Sequence, residues 1–353
     1  MHALTVLPGT ANSIQLDEVP EPDPQSGRIL VRALALGICG TDREIVAGDY
    51  GTAPPGETRL VLGHESLGRV EEAPRDTGFA PGDLVAGIVR RPDPVPCVNC
   101  GSGEWDMCRN GRYTEHGIKE LHGFGAEWWR VDPAYAVKVN PALGELGVLL
   151  EPASVVAKAW EHTERIGRRG VWEPRRVLVT GAGPIGLLAA LFAAQRGLEV
   201  HVLDRATSGI KPDLVRALGA TYHTGAVSGV GFEADVVIEC TGAASVVIEV
   251  IGLNVPNAIV CLAGVSAAGV KNLVDAGALN RSIVLENEVV FGSVNANRRH
   301  YEAADRALAV ADRAWLARLI TRRVPLARWH EAFESRPGDV KTVLSFGASG
   351  EAA

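Results

Sequence analysis

The sequence predicts an α/β protein of two domains, one irregular and mostly β, the other a doubly wound parallel sheet with helices on both faces. Three observations carry this. A chain of 353 residues exceeds one ordinary core. Its first 150 residues hold short β-like runs broken by Pro and Gly, whereas strands and helices alternate over 151–294. Near the start of that second stretch, Gly181-Ala182-Gly183-Pro184-Ile185-Gly186 joins a strand to a helix. The expected division is 1–150 with 295–353, and 151–294. A last strand, Lys341–Phe346, is needed to close an edge of the first domain.

In chain order, Arg28–Leu36 reads as a strand, Leu60–Leu62 as a short run into Gly63-His64-Glu65, and Leu84–Val89 as a strand after the turn Pro81-Gly82-Asp83. Arg176–Thr180 is a buried-type strand. The helix after it runs to about Arg196, with Ile185, Leu188, Ala189 and Phe192 as its sheet-facing stripe. Strand Val200–Leu203, helix Lys211–Leu218 stopped by Gly219, strand Ala234–Glu239, helix Ala244–Leu253, and strands Ile259–Ala263 and Val289–Phe291 continue the alternation. Ala303, Ala304, Ala307, Leu308 and Ala311 recur at helical spacing. The tail 347–353 is expected to be disordered.

Composition excludes several classes. Hydrophobic residues at 46% and charged residues at 22% exclude a disordered chain, and 40 glycines without a Gly-X-Y period exclude collagen. A net charge of −7 disfavours nucleic acid and anionic membranes as partners. The N-terminus lacks a basic region followed by an apolar core, so a cytoplasmic protein is expected. Residues 177–195 are uncharged, but Gly181, Gly183 and Pro184 break them into strand, turn and helix rather than a membrane span.

The glycine-rich turn has the context that gives it meaning. Gly181 permits a tight turn, Gly183 lets backbone N–H groups approach a pyrophosphate, and Gly186 lets helix and strand pack closely. The helix start, at Pro184 and Ile185, favours the anion. Asp204 closes the next strand, where a carboxylate accepts both ribose hydroxyls and repels a 2′-phosphate. NAD is therefore favoured over NADP. Arg205 beside it could instead bind that phosphate or stack on adenine. A ligand-free turn with a surface Asp204–Arg205 pair is the plainer alternative.

Six cysteines divide into a cluster, Cys97, Cys100 and Cys108, and the dispersed Cys39, Cys240 and Cys261. Clustering in a large chain suggests metal rather than disulfides. Cys240 and Cys261, at and in apolar strands, read as small hydrophobes. Cys39 and His64, 25 residues apart, suit an open zinc site with one carboxylate, and a buried thiol beside a satisfied His is the alternative.

Gly37-Ile38-Cys39-Gly40-Thr41-Asp42, Gly63-His64-Glu65, Pro81-Gly82-Asp83, the cysteine cluster and the later G-x-G-x-x-G, in this order, resemble the zinc-dependent medium-chain alcohol dehydrogenase superfamily. Trp105-Asp106-Met107-Cys108, Gly117-Ile118, His122-Gly123-Phe124 and Glu127-Trp128-Trp129 resemble its archaeal-type glucose 1-dehydrogenase branch. The resemblance implies a GroES-like catalytic domain and a Rossmann domain. It implies catalytic zinc on Cys39, His64 and Glu151, with Glu65 beside the metal and able to exchange with a water ligand, and Thr41 passing the alcohol proton away. It also implies that Thr241 and Gly264 lie at the cofactor, and that the enzyme is a homodimer or homotetramer.

The cluster Cys97, Cys100 and Cys108 is similar to the superfamily's structural-zinc lobe, which carries four cysteines. The missing one falls at Pro94. Adjacent Asp93 could supply an oxygen, or the lobe could be empty. The implied reaction is hydride transfer from an alcohol carbon to nicotinamide C4, with zinc stabilising the alkoxide. For an aldose, the branch points to Glu115, Glu151 and His300 as sugar contacts. Arg90 is a further substrate candidate, near another sugar-contact position where the branch carries a smaller polar residue, a departure that argues against glucose itself. Solvated positions on the surface are the alternative for Glu115 and His300, and core or interface is expected for Trp128 and Trp129. Three rivals remain: a polyol or secondary-alcohol dehydrogenase sharing every zinc and cofactor residue, a zinc-free quinone or enoyl reductase, and a noncatalytic dinucleotide-binding protein. Cys39, His64, Glu151 and Thr41 argue against the last two.

Overall fold

The computed structural model describes residues 1–251, 254–266, 269 and 273–347. The chain divides into two units, Met1–Ser154 with Asn295–Ala353, and Val155–Val294.

The first unit is built on a seven-stranded sheet around the long strand Ile29–Ile38. Its inward residues Ile29, Val31 and Ala33 alternate with exposed or half-buried ones, the period of a strand with one face on a core. Glu65–Glu72 pairs with it antiparallel on one side. On the other side lie Trp128–Val131, opposite Ile29–Arg32, and Lys341–Ser345, opposite Ala35–Ile38. Ile320–Pro325 pairs parallel to Lys341–Ser345. Phe124, Trp129, Val85 and Leu344 fill the core with the inward residues. Trp129 is thus core and Trp128 half-buried. A helix, Gly40–Ala47, follows the long strand immediately. The Cys39 N–H donates to the Asp42 carboxylate at 2.9 Å, and Gly48 at φ 84° ends the helix in the left-handed conformation.

The second unit is a six-stranded parallel sheet in the order Thr221–His223, Glu199–Leu203, Arg176–Thr180, Ala234–Glu239, Asn254–Leu262, Val289–Gly292. The order reverses on either side of Arg176–Thr180, so the crevice at the carboxyl end of that strand is the place where such sheets bind ligands.

Several elements differ from expectation. Of the stripe expected on the helix Pro184–Gln195, Leu188, Ala189 and Phe192 are buried and Ile185 is half-buried, but Gly186 through Ala193 are buried without a break, the pattern of a helix covered on every side. Glu151 and Pro152 lie in the first turn of the helix Leu150–Gly167, where a proline removes no needed donor. The helix from Ala244 is described to Glu249, and residues 252–253 and the tail 348–353 lie outside the described residues. Among the described residues no helix is long and apolar enough to cross a membrane.

Candidate metal centre, thiol lobe and dinucleotide turn

Cys39 ends the long strand and opens the helix Gly40–Ala47, while His64 follows the short strand Leu60–Val61. The sheet brings them together: Cys39 Sγ lies 3.0 Å from His64 Nε2. On the far side of the ring, Nδ1 lies 3.3 Å from the Asp42 carboxylate, which is fully buried. Burial disfavours a charge on His64, but Cys39 and Asp42 outweigh it and hold the ring's pKa well above the ordinary value. Burial likewise opposes charge on Asp42, and His64 overcomes it, so its pKa is lowered. Among the described residues, Cys39, Asp42 and His64 form a set whose ligand atoms lie within 4.8 Å of one another. A thiol, a ring nitrogen aimed at it and a carboxylate behind the ring fit a zinc site, because metal-bound His commonly directs its other nitrogen to a carboxylate.

The expected carboxylates stand beside that set rather than in it. Glu65 is buried and paired with buried Lys341, which also donates to the Ile38 carbonyl at 3.2 Å. Glu151 is half-buried. Burial, with Glu65 and Asp42 nearby, pushes its pKa up to about 7 against the pull of His64 and Lys341. Thr41 is half-buried at the second helical position. Two important partners were not singled out in the sequence. Asp42 carried a signal, an acid at the third helical position, whereas Lys341 opened an apolar strand and had none.

The thiol lobe gathers Cys97, Cys100 and Cys108 within 4.8 Å, but not Asp93. The Asp93 carboxylate accepts from the Val95 N–H and from Asn110, both at 2.8 Å, and meets Arg112 at 3.3 Å. The N–H groups of Arg109 and Cys100 bring the Cys97 thiol down to about 6, and burial pushes Cys100 up to about 11. Burial also raises Cys240 far above the usual thiol range and takes Cys261 up to about 12.

Arg90, Glu115 and His300 are all buried, which removes the surface reading of Glu115 and His300. Arg90 and Glu115 face each other across two strands, and the guanidinium Nε and Nη2 donate to Glu115 Oε1 at 3.0 and 2.9 Å. His300 sits in the first turn of Arg298–Ala309, where its Nδ1 accepts from the Asn297 N–H at 3.0 Å.

In the second unit the turn is as expected of a dinucleotide site. Gly181 has φ 91°, and Gly183 precedes the helix that Pro184 begins. A Cβ on Gly186 would lie 1.7 Å from the Gly181 carbonyl oxygen, whereas one on Gly183 would meet no atom within 4 Å. Asp204 accepts from the Ala182 N–H at 2.7 Å and the Ala206 N–H at 2.9 Å, and Lys211 lies 3.6 Å away. Arg205 is exposed. Thr241 and Gly264 are arranged by a residue the sequence reading did not weigh, Glu239. Its buried carboxylate accepts from Thr241 and Gly242 N–H at 2.7 and 3.2 Å, and its carbonyl accepts from Gly264 N–H at 2.9 Å. The signal was an acid closing the apolar run Val236–Ile238.

Two family models match the chain: the alcohol dehydrogenase GroES-like domain over residues 25–141 and the glucose dehydrogenase C-terminus over 144–346. A glucose 1-dehydrogenase of Methanocella arvoryzae is 39% identical, with 99% of this chain and all of that protein covered. Glucose 1-dehydrogenase 2 of Vulcanisaeta moutnovskia is 42% identical over 98% of this chain and 99% of its own. The structure of Haloferax mediterranei glucose dehydrogenase in complex with NADP, Zn and gluconolactone superposes with a TM-score of 0.91. It is 34% identical and covers 99% of this chain and 100% of that one.

Proposed function

Because the chain belongs to the glucose dehydrogenase branch of the zinc-dependent medium-chain alcohol dehydrogenase superfamily, we propose that it transfers hydride from C1 of an aldose to a nicotinamide dinucleotide. The observation that carries the reading is the approach of Cys39 Sγ to His64 Nε2 at 3.0 Å with Asp42 behind the ring. Cys39 and His64 would hold zinc, with Glu151 and Glu65 as the adjoining carboxylates. Zinc there supplies a Lewis acid for the alcohol oxygen and the nicotinamide supplies the hydride acceptor.

The chain's own residues do the remaining work. Asp42 would keep the proton on Nδ1, so that Nε2 is the nitrogen left for the metal that Cys39 also holds. Thr41 takes up the substrate's hydroxyl proton and passes it on. Glu115, Glu151 and His300 meet the sugar hydroxyls. Gly181, Gly183 and Gly186 seat the pyrophosphate at the start of Pro184–Gln195, and Glu239 holds Thr241 and Gly264 for the rest of the cofactor. Cys97, Cys100 and Cys108 supply three thiolates for a second zinc. Asp93 would not complete that set as a fourth ligand, since its oxygens are already engaged. The preference for NAD finds no support either. Asp204 is occupied by two backbone donors and Lys211, and the Haloferax relative binds NADP.

The test is a panel of aldoses, polyols and simple alcohols, assayed separately with NAD and NADP after metal analysis. Aldoses should be oxidised best. Cys39→Ala or His64→Ala should abolish turnover while dinucleotide binding survives, and unchanged turnover in either would refute the assigned metal role.

A further inference from the structure

Glu115, the proposed sugar contact, is aimed by the polar network around it. The strands Arg90–Arg91 and Thr114–His116 are antiparallel, with Arg90 directly opposite Glu115, so the two side chains rise from the same face. Three donors then converge on a single oxygen: Arg90 Nε, Arg90 Nη2 and Asn295 Nδ2, at 3.0, 2.9 and 2.6 Å from Glu115 Oε1. None of these three donors touches Oε2. The guanidinium is itself fixed. Its Nη1 donates to the Asp106 carbonyl at 3.1 Å, and its Cζ lies over the Tyr113 ring, 3.7 Å from the centroid. Asp106 in turn accepts from Asn297 at 2.8 Å. Asn295 holds a left-handed backbone at φ 61°, a conformation asparagine tolerates and most residues do not.

This is more constraint than stability requires. A buried ion pair is often no better for folding than apolar side chains of the same volume. A pair whose donors all grip one oxygen instead removes the carboxylate's rotational freedom and leaves the other oxygen to accept.

We infer that Arg90 and Asn295 are specificity-determining positioning residues: they pin Oε1 of Glu115 so that Oε2 is presented, ready oriented, to a hydroxyl of a polyhydroxylated substrate. The inference rests on the aldose reading above. Pre-orientation lowers the cost of binding because the side chain is ordered before the sugar arrives. It also separates this chain from an enzyme with a small polar residue at position 90, in which the carboxylate would have to be ordered by the sugar itself. The substrate class is one whose ring hydroxyls donate to a fixed anion. A monohydroxy alcohol gains nothing from it.

The experiment uses the zinc-loaded enzyme, three single variants, Arg90→Lys, Asn295→Gly and Glu115→Gln, and the Arg90→Lys/Glu115→Gln double variant. Lysine keeps the charge but cannot reach the Glu115 oxygen, the Asp106 carbonyl and the Tyr113 face together. Glycine keeps the left-handed backbone while removing the donor. The readouts are aldose KM and kcat, the KM for NADP, and the Kd for gluconolactone by calorimetry. Arg90→Lys should raise aldose KM and lactone Kd about tenfold, the net worth of one hydrogen bond to the sugar, with kcat falling less than about threefold and KM for NADP unmoved. Asn295→Gly should move the same two quantities in the same direction, and it stands alone if Arg90→Lys does not fold. The Arg90→Lys/Glu115→Gln double variant should be no worse than Glu115→Gln. Aldose KM and lactone Kd within twofold of wild type in either folded single variant, or losses that add to that of Glu115→Gln, overturn the positioning role. A wild-type chain that neither oxidises aldoses nor binds the lactone removes the aldose reading and this inference with it.

Discussion

Gly183 and Gly186, three residues apart in the same turn, should respond to alanine in opposite ways. At Gly186 the new methyl would stand 1.7 Å from the Gly181 carbonyl oxygen and 2.9 Å from its carbon. The obstacle is backbone, so the turn or the helix must shift by about 1.5 Å to restore an ordinary contact. Overpacking of this kind costs about 1–3 kcal/mol, and the rigid neighbour puts Gly186→Ala at the upper end. For a unit of this size that is a melting midpoint lower by roughly 8–12 °C. At Gly183 the backbone has φ −83°, open to any residue, and the methyl meets no atom within 4 Å. Gly183→Ala should stay within about 1 kcal/mol of wild type, the cost of an alanine at a helix N-cap. It should nevertheless weaken NADPH about tenfold, near 1.4 kcal/mol, because the open space is where a pyrophosphate approaches the backbone. Calorimetric melting paired with NADPH titration separates the two. Wild-type stability in Gly186→Ala, or wild-type NADPH affinity in Gly183→Ala, would show that these glycines are not there for close approach.

Lys341→Met should cost about 3–5 kcal/mol in urea unfolding, because it strands the buried Glu65 charge, and Lys341→Met/Glu65→Gln should recover most of that; additive losses would refute the pairing. Asp42→Ala should weaken zinc retention about 10–100-fold in chelator competition with the helix content unchanged, and unaltered affinity would deny it the role of orienting His64. His116 carries a pH signature. Burial first, then the Arg91 charge, holds its pKa well below the usual value, and its ring is bonded as the neutral form between Arg91 and the His122 carbonyl. The unfolded chain takes up a proton below about pH 6.5 and the folded chain does not, so stability is present above that pH and falls by about 1.4 kcal/mol per unit below it. His116→Asn should remove that part of the acid slope between about pH 6.5 and 5; an unchanged slope would contradict a neutral His116.

Sequence-legible features were those with local punctuation. Strands Arg176–Thr180 and Ala234–Glu239 fall where their apolar runs placed them, because Gly and charged residues bound them. The helix Leu150–Gly167 was not read, since Glu151-Pro152 looks like a junction, and only the first-turn position makes that proline compatible. At the metal centre the residue types were legible, but the long pairing that seats Lys341 against Glu65 was not, because its partners are joined by the sheet and not by spacing. Asn295 gave no signal at all: its part depends on a backbone angle and on strands more than a hundred residues earlier.

The Lys341 ammonium rests on the Ile38 carbonyl across a separation of 303 positions, and its strand lies between Ile29–Ile38 and Ile320–Pro325. The sheet that carries Cys39 and backs the metal centre is therefore finished by polypeptide made long after its founding strand. Val155–Val294, by contrast, is one continuous stretch and can acquire its structure while synthesis is still under way. Newly made chains should consequently grip nucleotide before they can retain metal. Growing chains halted shortly before residue 341 should leave the apolar flank of Ala35–Ile38 uncovered, a surface for chaperones to shield.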